Sequence, residues 1–150
     1  MRLINTIILV FASMGLLVLW GVFLAYYGRV PDIIPTHFGI GGAPNAWGHK
    51  SMLLLFPLLG LAAYAMAILF HYFVLPARRQ MAPLVQTLVF FLLAELVWFW
   101  FFLLWETIRV GLRITPGLDN GFNIPFATIM LTVVALLIAA VSTRSFNTLR

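Results

Sequence analysis

The sequence contains no cysteine, and it has only four acidic residues in a chain of 150. The absence of cysteine excludes disulfides, thiolate nucleophiles and cysteine-based zinc or iron–sulfur sites. Charged residues make up 9% of the chain, against about 25% in a typical soluble domain, while 63% of the residues are hydrophobic. A water-soluble fold cannot hide so much apolar surface. We therefore expect residues 1–150 to form a single membrane domain whose main solvent is the lipid bilayer.

Four apolar stretches are long enough to cross a bilayer, which takes roughly 20 residues in helical form. They cover residues 3–27, 52–75, 83–105 and 124–141, and the third stretch has the composition to continue as helix to residue 113. Lipid offers no partner to open backbone groups, so each stretch must be helical. The predicted fold class is an all-α integral membrane protein with four transmembrane helices and a Gly/Pro-rich outer loop between helices one and two.

The distribution of basic residues predicts the orientation. The net charge of +5 is spread among hydrophobic segments without a basic run, so we expect no nucleic-acid partner. The bias of Lys and Arg between the two sides of the membrane predicts a multi-pass protein with both termini in the cytoplasm. The cytoplasmic side would hold Arg2, Arg78, Arg79, Arg144 and Arg150, and the outer side Arg29, Lys50, Arg109 and Arg113 offset by Asp32, Glu106 and Asp119.

A polar loop, residues 30–51, interrupts the apolar chain and faces outward in this topology. Its glycines permit a tight reversal and its prolines stiffen the backbone between them, which predicts a defined loop rather than a loose linker. We expect it to fold over the Gly/Pro-rich loop between helices three and four. The residues concerned are Gly39, Gly41 and Gly42, with Pro31, Pro35 and Pro44.

The loop histidines are weak candidates for a metal site. His37 and His49, with Asp32 and Asp119, offer ligand types that suit zinc or copper. Their spacing matches no metal motif, and a loop histidine is more often a hydrogen-bonding residue that locks a turn. The chain also has no nucleophile elbow and no H-E-x-x-H motif. We therefore expect no cofactor, no metal and no enzymatic activity.

The third helix carries a polar stripe. At 100° per residue, Glu95, Glu106, Arg109 and Arg113 fall within roughly 60° of one another. An acid at mid-membrane depth must face protein or water, or be protonated. The stripe is therefore either a proton or cation path or the wall of a binding cavity, or else Glu95 is neutral and bonds a neighbouring helix. Candidate partners for Glu95 are Ser13, Tyr64, Thr128 and Thr132.

Small residues recur along the first helix at Gly21, Ala25 and Gly28. Small residues at this spacing let helices approach closely. We expect them to serve packing within the molecule, with a dimer face as the alternative.

The loop and the start of the second helix combine IPTHF, a glycine and WG-x-K ahead of an apolar helix. This segment, Val30 to Pro57, resembles a bacterial membrane domain of unknown function, found alone and in the immunity protein against the sporulation-delay toxin (the SdpI type). The family pattern reads roughly LP-x-x-IPTHFN-x-x-G-x-x-DGWGSK, then a hydrophobic helix with an early Pro. The chain matches it at Pro31, Ile34, Pro35, Thr36, His37, Phe38, Gly42, Pro44, Trp47, Gly48, Lys50 and Pro57.

The chain departs from that pattern at four positions. Gly39 stands where the family has Asn, Asn45-Ala46 where it has Asp-Gly, and His49 where it has Ser. The resemblance covers neither the third nor the fourth helix. It implies a four-helix membrane protein whose outward loop carries the signature, with Pro35, Thr36, His37, Phe38, Gly42, Trp47, Gly48 and Lys50 either binding a ligand or holding the loop.

Three functions are compatible with these features. The first is an immunity- or receptor-type protein that binds a peptide toxin, a peptide signal or a lipid through the PTHF loop. The second is an accessory subunit of a larger membrane complex, with other membrane subunits as partners. The third is a membrane-embedded enzyme or transporter that uses Glu95 with His37 and His49.

Overall fold

The computed structural model describes residues 2–74, 83–119, 121 and 123–148. The elements, in chain order, are α1 (Arg2–Tyr26), β1 (Ile33–Phe38), β2 (Pro44–His49), α2 (Leu55–Leu69), α3 (Pro83–Gly111) and α4 (Asn123–Thr148). A 3₁₀ turn, Lys50–Leu54, leads into α2, and a π-helical turn, Phe70–Val74, follows it. Arg78, Arg79 and Arg150, on which the predicted orientation depends, lie outside the described residues, as do the side chains of Arg2 and Arg144.

Within the described residues, three helical segments are long and apolar enough to cross a membrane: Leu3–Tyr26, Lys50–Tyr72 and Pro83–Gly111. The apolar part of α4 is shorter and covers Asn123–Ala139 among the described residues. The chain is thus a mostly helical, multi-pass membrane protein. Each span closes its own backbone hydrogen bonds, as a lipid solvent requires.

Helix α3 is the centre of the bundle, because α1, α2 and α4 all pack against it. Polar contacts join the helices at different depths. The Thr87 hydroxyl of α3 donates to Asn5 Oδ1 of α1 at 3.2 Å, and Trp98 Nε1 of α3 donates to the Phe11 carbonyl at 3.3 Å. Between α1 and α2, Ser13 Oγ and Tyr64 Oη lie 2.7 Å apart. Hydrogen bonds of this kind supply part of the association energy between helices in lipid.

Close helix contacts depend on glycines other than those expected. A Cβ on Gly15 would lie 2.9 Å from the Trp98 ring, and one on Gly60 would lie against the Leu19 side chain of α1. Gly21 and Gly28 have no atom within 4 Å of such a Cβ. The expectation that Gly21, Ala25 and Gly28 pack inside the molecule is therefore wrong. The dimer-face alternative stays a prediction.

The Gly/Pro-rich loop is a β-hairpin, so the all-α fold class needs correction. Strands β1 and β2 pair antiparallel, with Ile34 opposite Gly48, Pro35 opposite Trp47 and His37 opposite Ala46. Isoleucine, threonine and phenylalanine in IIPTHF favour strand, and a Gly-containing loop of five residues between two such runs is a hairpin signal. A proline is tolerated here because both strands of a two-stranded sheet are edge strands.

The best-buried core lies at the hairpin end of the bundle. It brings together the end of α1, the first strand, the 3₁₀ turn before α2 and the end of α3. Its members are Leu19, Phe23, Val30, Ile34, Leu53, Leu104 and Ile108. Burying an aliphatic side chain of this kind contributes about 1.5–3 kcal/mol, so the hairpin is anchored by the same cluster that closes the helices.

Helix α3 ends at Gly111, and Arg113 beyond it has φ 59°. The left-handed conformation of a non-glycine residue ends the helix here. Arg113 lies past the end of the helix and is exposed. The polar stripe expected along α3 therefore stops at Arg109.

The turn of the hairpin contacts the loop after α3. The Leu118 amide donates to the Gly42 carbonyl at 2.9 Å, and a Cβ on Gly117 would lie 2.6 Å from that same oxygen. The expected contact between the two outer loops is thus present. Gly42 has φ +76°, and a Cβ there would lie 3.2 Å from the Leu118 carbonyl oxygen.

We expect Gly42→Ala to lower the free energy of unfolding by about 1–2 kcal/mol, because a left-handed residue with a Cβ is strained. Gly41→Ala is the matched control, since a Cβ on Gly41 meets nothing within 4 Å. Thermal unfolding of both variants in detergent micelles measures the difference. Equal melting temperatures for the two variants would contradict the assigned backbone.

Candidate functional site

The hairpin is held on the helices by the inner half of the signature motif. Ile34 and Pro35 are fully buried, and both contact the position where a Cβ of Gly111 would stand at the end of α3. Across the hairpin, the Thr36 methyl lies over Gly48 so closely that a Cβ there would be 2.8 Å away. These residues hold the hairpin in a single position relative to the bundle.

The base of the hairpin is closed by Lys50. Its backbone amide donates to the Asp32 carbonyl at 2.8 Å, and its ammonium lies 2.9 Å from the Asp32 carboxylate and 5.6 Å from the centre of the Tyr27 ring. The hydrogen bond from Lys50 holds the pKa of Asp32 below its ordinary value. The ion pair is therefore present at neutral pH, and its contribution to stability disappears as the pH falls through that lowered pKa.

The outer half of the motif is left on the surface. Trp47 is 56% exposed, and Thr36 and His37 of the opposite strand are also exposed. A β-bulge between Pro35 and His37 interrupts the regular alternation of the strand, so that Pro35 is buried while His37 is not. Bulges of this kind turn side chains in a new direction and are common next to functional sites. At the tip of the hairpin Ile40 is completely exposed.

His37 is oriented by Asn45 of the opposite strand. Its Nδ1 lies 2.5 Å from Asn45 Oδ1. Because an amide oxygen only accepts hydrogen bonds, Nδ1 carries the proton and Nε2 is left as an acceptor in the neutral ring. Sequence reasoning did not select Asn45 as a site residue. The signal that would have found it is its place in the motif, where the family pattern has Asp.

The remaining motif residue, Phe38, is half-buried. With Leu118, Asn123 and Phe126 it lines a cleft of about 510 Å³ between the hairpin turn and the start of α4. Phe38 therefore belongs to the contact between the hairpin and the α3–α4 loop rather than to the exposed surface around Trp47.

The two loop histidines do not meet. His49 pairs with Ile33 near the base of the hairpin and accepts a hydrogen bond from the Ser51 amide at 3.2 Å, whereas His37 bonds Asn45 farther along. Within the described residues, no group of three His, Cys, Asp or Glu side chains is placed to hold a metal ion.

A second feature is a groove of about 850 Å³ along α3, between α1 and α4. Glu95 and Glu106 line it from α3, as the predicted polar stripe implies, and Asp119 lines it from the following loop. Apart from Thr128, its other walls are apolar, and Trp98, Phe102 and Trp105 line it from α3. Neither His37 nor His49 reaches this groove, so the structure does not bring Glu95 together with the histidines.

At the outer end of the groove, Glu106 ties α3 to the loop that follows. Arg109 Nη1 donates to Glu106 Oε1 at 2.7 Å, and the Asp119 amide donates to Glu106 Oε2 at 3.3 Å. Arg109 also lies 3.8 Å from the Asp119 carboxylate. The i,i+3 pair expected on the sequence is present, and the Glu106 side chain is almost fully buried. Its role is first of all structural.

Deeper in the groove, neither carboxylate oxygen of Glu95 has a hydrogen-bond partner among the described residues, and both oxygens are buried. Thr128 and Thr132 face it from α4. However, each of these hydroxyls donates to a carbonyl of its own helix, Thr128 to Pro125 and Thr132 to Thr128, both at 3.0 Å. The other two candidate partners, Ser13 and Tyr64, bond each other instead.

We expect a double-mutant cycle with Glu106→Gln and Arg109→Met to give a coupling energy of about 1.5–3 kcal/mol, because the hydrogen bond joins two charged, largely buried groups. Chemical unfolding in mixed micelles measures it. The cycle with Asp32→Asn and Lys50→Met is the control. Its carboxylate side chain is 76% exposed, against 7% for Glu106, so we expect much weaker coupling. Coupling as weak in the Glu106 cycle would contradict the structural role.

Comparison with known proteins identifies the hairpin segment. Residues 14–61 match the model of a domain of unknown function (DUF1648). This match runs from α1 through the hairpin into α2 and confirms, at that level, the resemblance to a membrane domain of unknown function. The chain is also 44% identical over 39 residues to an uncharacterized protein of Archaeoglobus fulgidus; the aligned part is 26% of this chain and 21% of that protein. No solved structure matches the chain significantly.

Proposed function

We propose that this protein is a small integral membrane protein of the receptor or immunity type, which binds a peptide or lipid ligand on the exposed side of its hairpin. The observation that carries this proposal is that the hairpin is anchored in the core through Ile34 and Pro35 and yet keeps Trp47 56% exposed. A large aromatic held in the open on a rigid element is typical of a binding surface.

Rigidity favours binding at this surface. A preformed hairpin does not lose loop entropy when a ligand binds, and that loss is one of the main costs of association. Trp47 offers apolar area, while His37 and Thr36 are exposed polar residues on the opposite strand of the same hairpin. The ligand that suits this set has an apolar or aromatic part next to a hydrogen-bond donor, as many peptides do.

The resemblance to immunity proteins against the sporulation-delay toxin supports the class and not a particular ligand. Asn45 is the residue that orients His37, and it stands where the family pattern has Asp. A carboxylate there would place a negative charge next to the imidazole, whereas the amide is neutral. We propose that this chain accepts a different ligand from proteins that carry the Asp.

We further propose the bacterial cytoplasmic membrane as the location, with α4 as a fourth span and both termini in the cytoplasm. The hairpin and the α3–α4 loop contact each other, so they share one side of the membrane, and four spans place the two termini together on the other side.

Cysteine labelling tests this topology, because the chain has no cysteine of its own. We expect Ile40→Cys, at the fully exposed tip of the hairpin, to react with a membrane-impermeant maleimide in intact cells. Arg150→Cys should react only after the cells are permeabilised. The reverse pattern would show that the hairpin faces the cytoplasm.

Photo-crosslinking in the native membrane tests the ligand surface. A photoreactive amino acid replaces Trp47 in one variant and Leu17 of α1, which is also exposed, in the other. We expect the first variant to capture a peptide or lipid, identified by mass spectrometry, and Leu17 to capture bulk lipid. Efficient capture at Leu17 of one membrane protein in fixed ratio, with none at Trp47, would favour the accessory-subunit function instead.

A further inference from the structure

The groove between α1 and α4 has an unusual distribution of charge. Three of the four acids of the chain line it, namely Glu95, Glu106 and Asp119. No lysine or arginine is among the side chains that line it in the described part of the chain. The nearest guanidinium, Arg109, is shared by Glu106 and Asp119. One positive charge thus faces two carboxylates at the outer end. Deeper in, neither carboxyl oxygen of Glu95 has a hydrogen-bond partner in the described part of the chain.

The walls between these acids are aromatic. Trp98, Phe102 and Trp105 line the groove from α3, which places their rings along the same side as Glu95 and Glu106. The faces of aromatic rings attract cations, and the attraction grows when the cation leaves water. Carboxylates and aromatic faces therefore favour the same kind of ligand, one that is positively charged and otherwise apolar.

The size of the groove limits the ligand further. Sites for drug-sized molecules occupy roughly 300–1,000 Å³, and this groove, at about 850 Å³, lies in that range. The headgroup of an anionic lipid would meet three acidic side chains, and the one arginine next to them, Arg109, is already paired with Glu106 and Asp119. A zwitterionic lipid would bring an anionic phosphate together with its ammonium group.

We propose that the groove binds a lipophilic cation, a small molecule with one quaternary ammonium or phosphonium centre and an apolar or aromatic body. The body lies against Trp98, Phe102 and Trp105, and the positive centre lies between Glu95 and the outer pair of acids. This site is separate from the exposed surface of the hairpin, and it stands or falls independently of the function proposed there.

Tetraphenylphosphonium and tetraphenylborate provide the direct test, because they have nearly the same shape and opposite charge. Each is titrated separately into the purified full-length protein in a non-ionic detergent, with protein-free micelles subtracted. We expect saturable binding of one tetraphenylphosphonium per chain, and we expect tetraphenylborate to bind at least roughly tenfold more weakly. A tenfold difference in affinity corresponds to about 1.4 kcal/mol of binding free energy. Equal binding of both ions would show that the groove is an uncharged slot for lipid tails and would overturn the proposal.

Matched variants locate the site. Glu95→Gln and Asp119→Asn should each weaken tetraphenylphosphonium binding roughly fivefold, because each replaces a carboxyl group that can carry a negative charge with a neutral amide of the same shape. Asp32→Asn removes an acid outside the groove and should leave the affinity unchanged. Glu106 is not used, since it also holds the α3–α4 loop.

The outcomes remain decisive if one variant is unstable. Asp119 is 59% exposed, so Asp119→Asn is compatible with folding even where Glu95→Gln is not. Unchanged affinity in a folded Asp119→Asn variant and in any folded Glu95→Gln variant would place the cation elsewhere and overturn the assignment. An equal loss of affinity in Asp32→Asn would show that the net charge of the protein, and not the groove, attracts the cation. That result would also overturn the proposal.

Discussion

The insertion of Ile34 and Pro35 between the ends of α1 and α3 is the contact on which the architecture of the outer side depends. These two residues belong to the hairpin, but they are buried against Gly111 and the aliphatic cluster that joins the first three helices. Because the hairpin is part of this core, its exposed residues have a defined position. The same contact sets the path of the chain into α2 and allows the turn around Gly42 to reach Leu118.

The four acidic side chains of the chain differ in how well their charge is compensated. A carboxylate surrounded by lipid is costly unless a partner compensates its charge, so the position of each acid is restricted. Asp32 is bound to Lys50 at the base of the hairpin, and Glu106 is held by Arg109 and a backbone amide. Asp119 shares Arg109, and Glu95 has no partner among the described residues. The two acids with the weakest compensation, Glu95 and Asp119, both line the groove, together with Glu106 and the aromatic rings.

Much of this was accessible from sequence, and the failures have physical causes. Long apolar runs predict helices because lipid leaves the backbone no other choice, and the pair of Glu106 with Arg109 follows from helical spacing. The glycines and prolines of this segment, such as Gly39, Gly41 and Pro35, predict a loop. They conceal the hairpin, although strand-forming residues flank the turn. Gly21 and Gly28 were assigned to packing by their spacing, while Gly15 and Gly60 make the close contacts. Spacing does not say which face of a helix meets a neighbour.

The sequence by itself determined the solvent of this protein, its helical spans, the position of its signature segment and the i,i+3 pair on α3, because these depend on composition and on short-range periodicity. Only the tertiary structure decided that His37 bonds Asn45, that Ser13 bonds Tyr64 rather than Glu95, and that Asp119 joins Glu95 and Glu106 along one groove. Each of these contacts joins residues whose distance depends on how whole elements pack, and no local pattern in the chain encodes that distance.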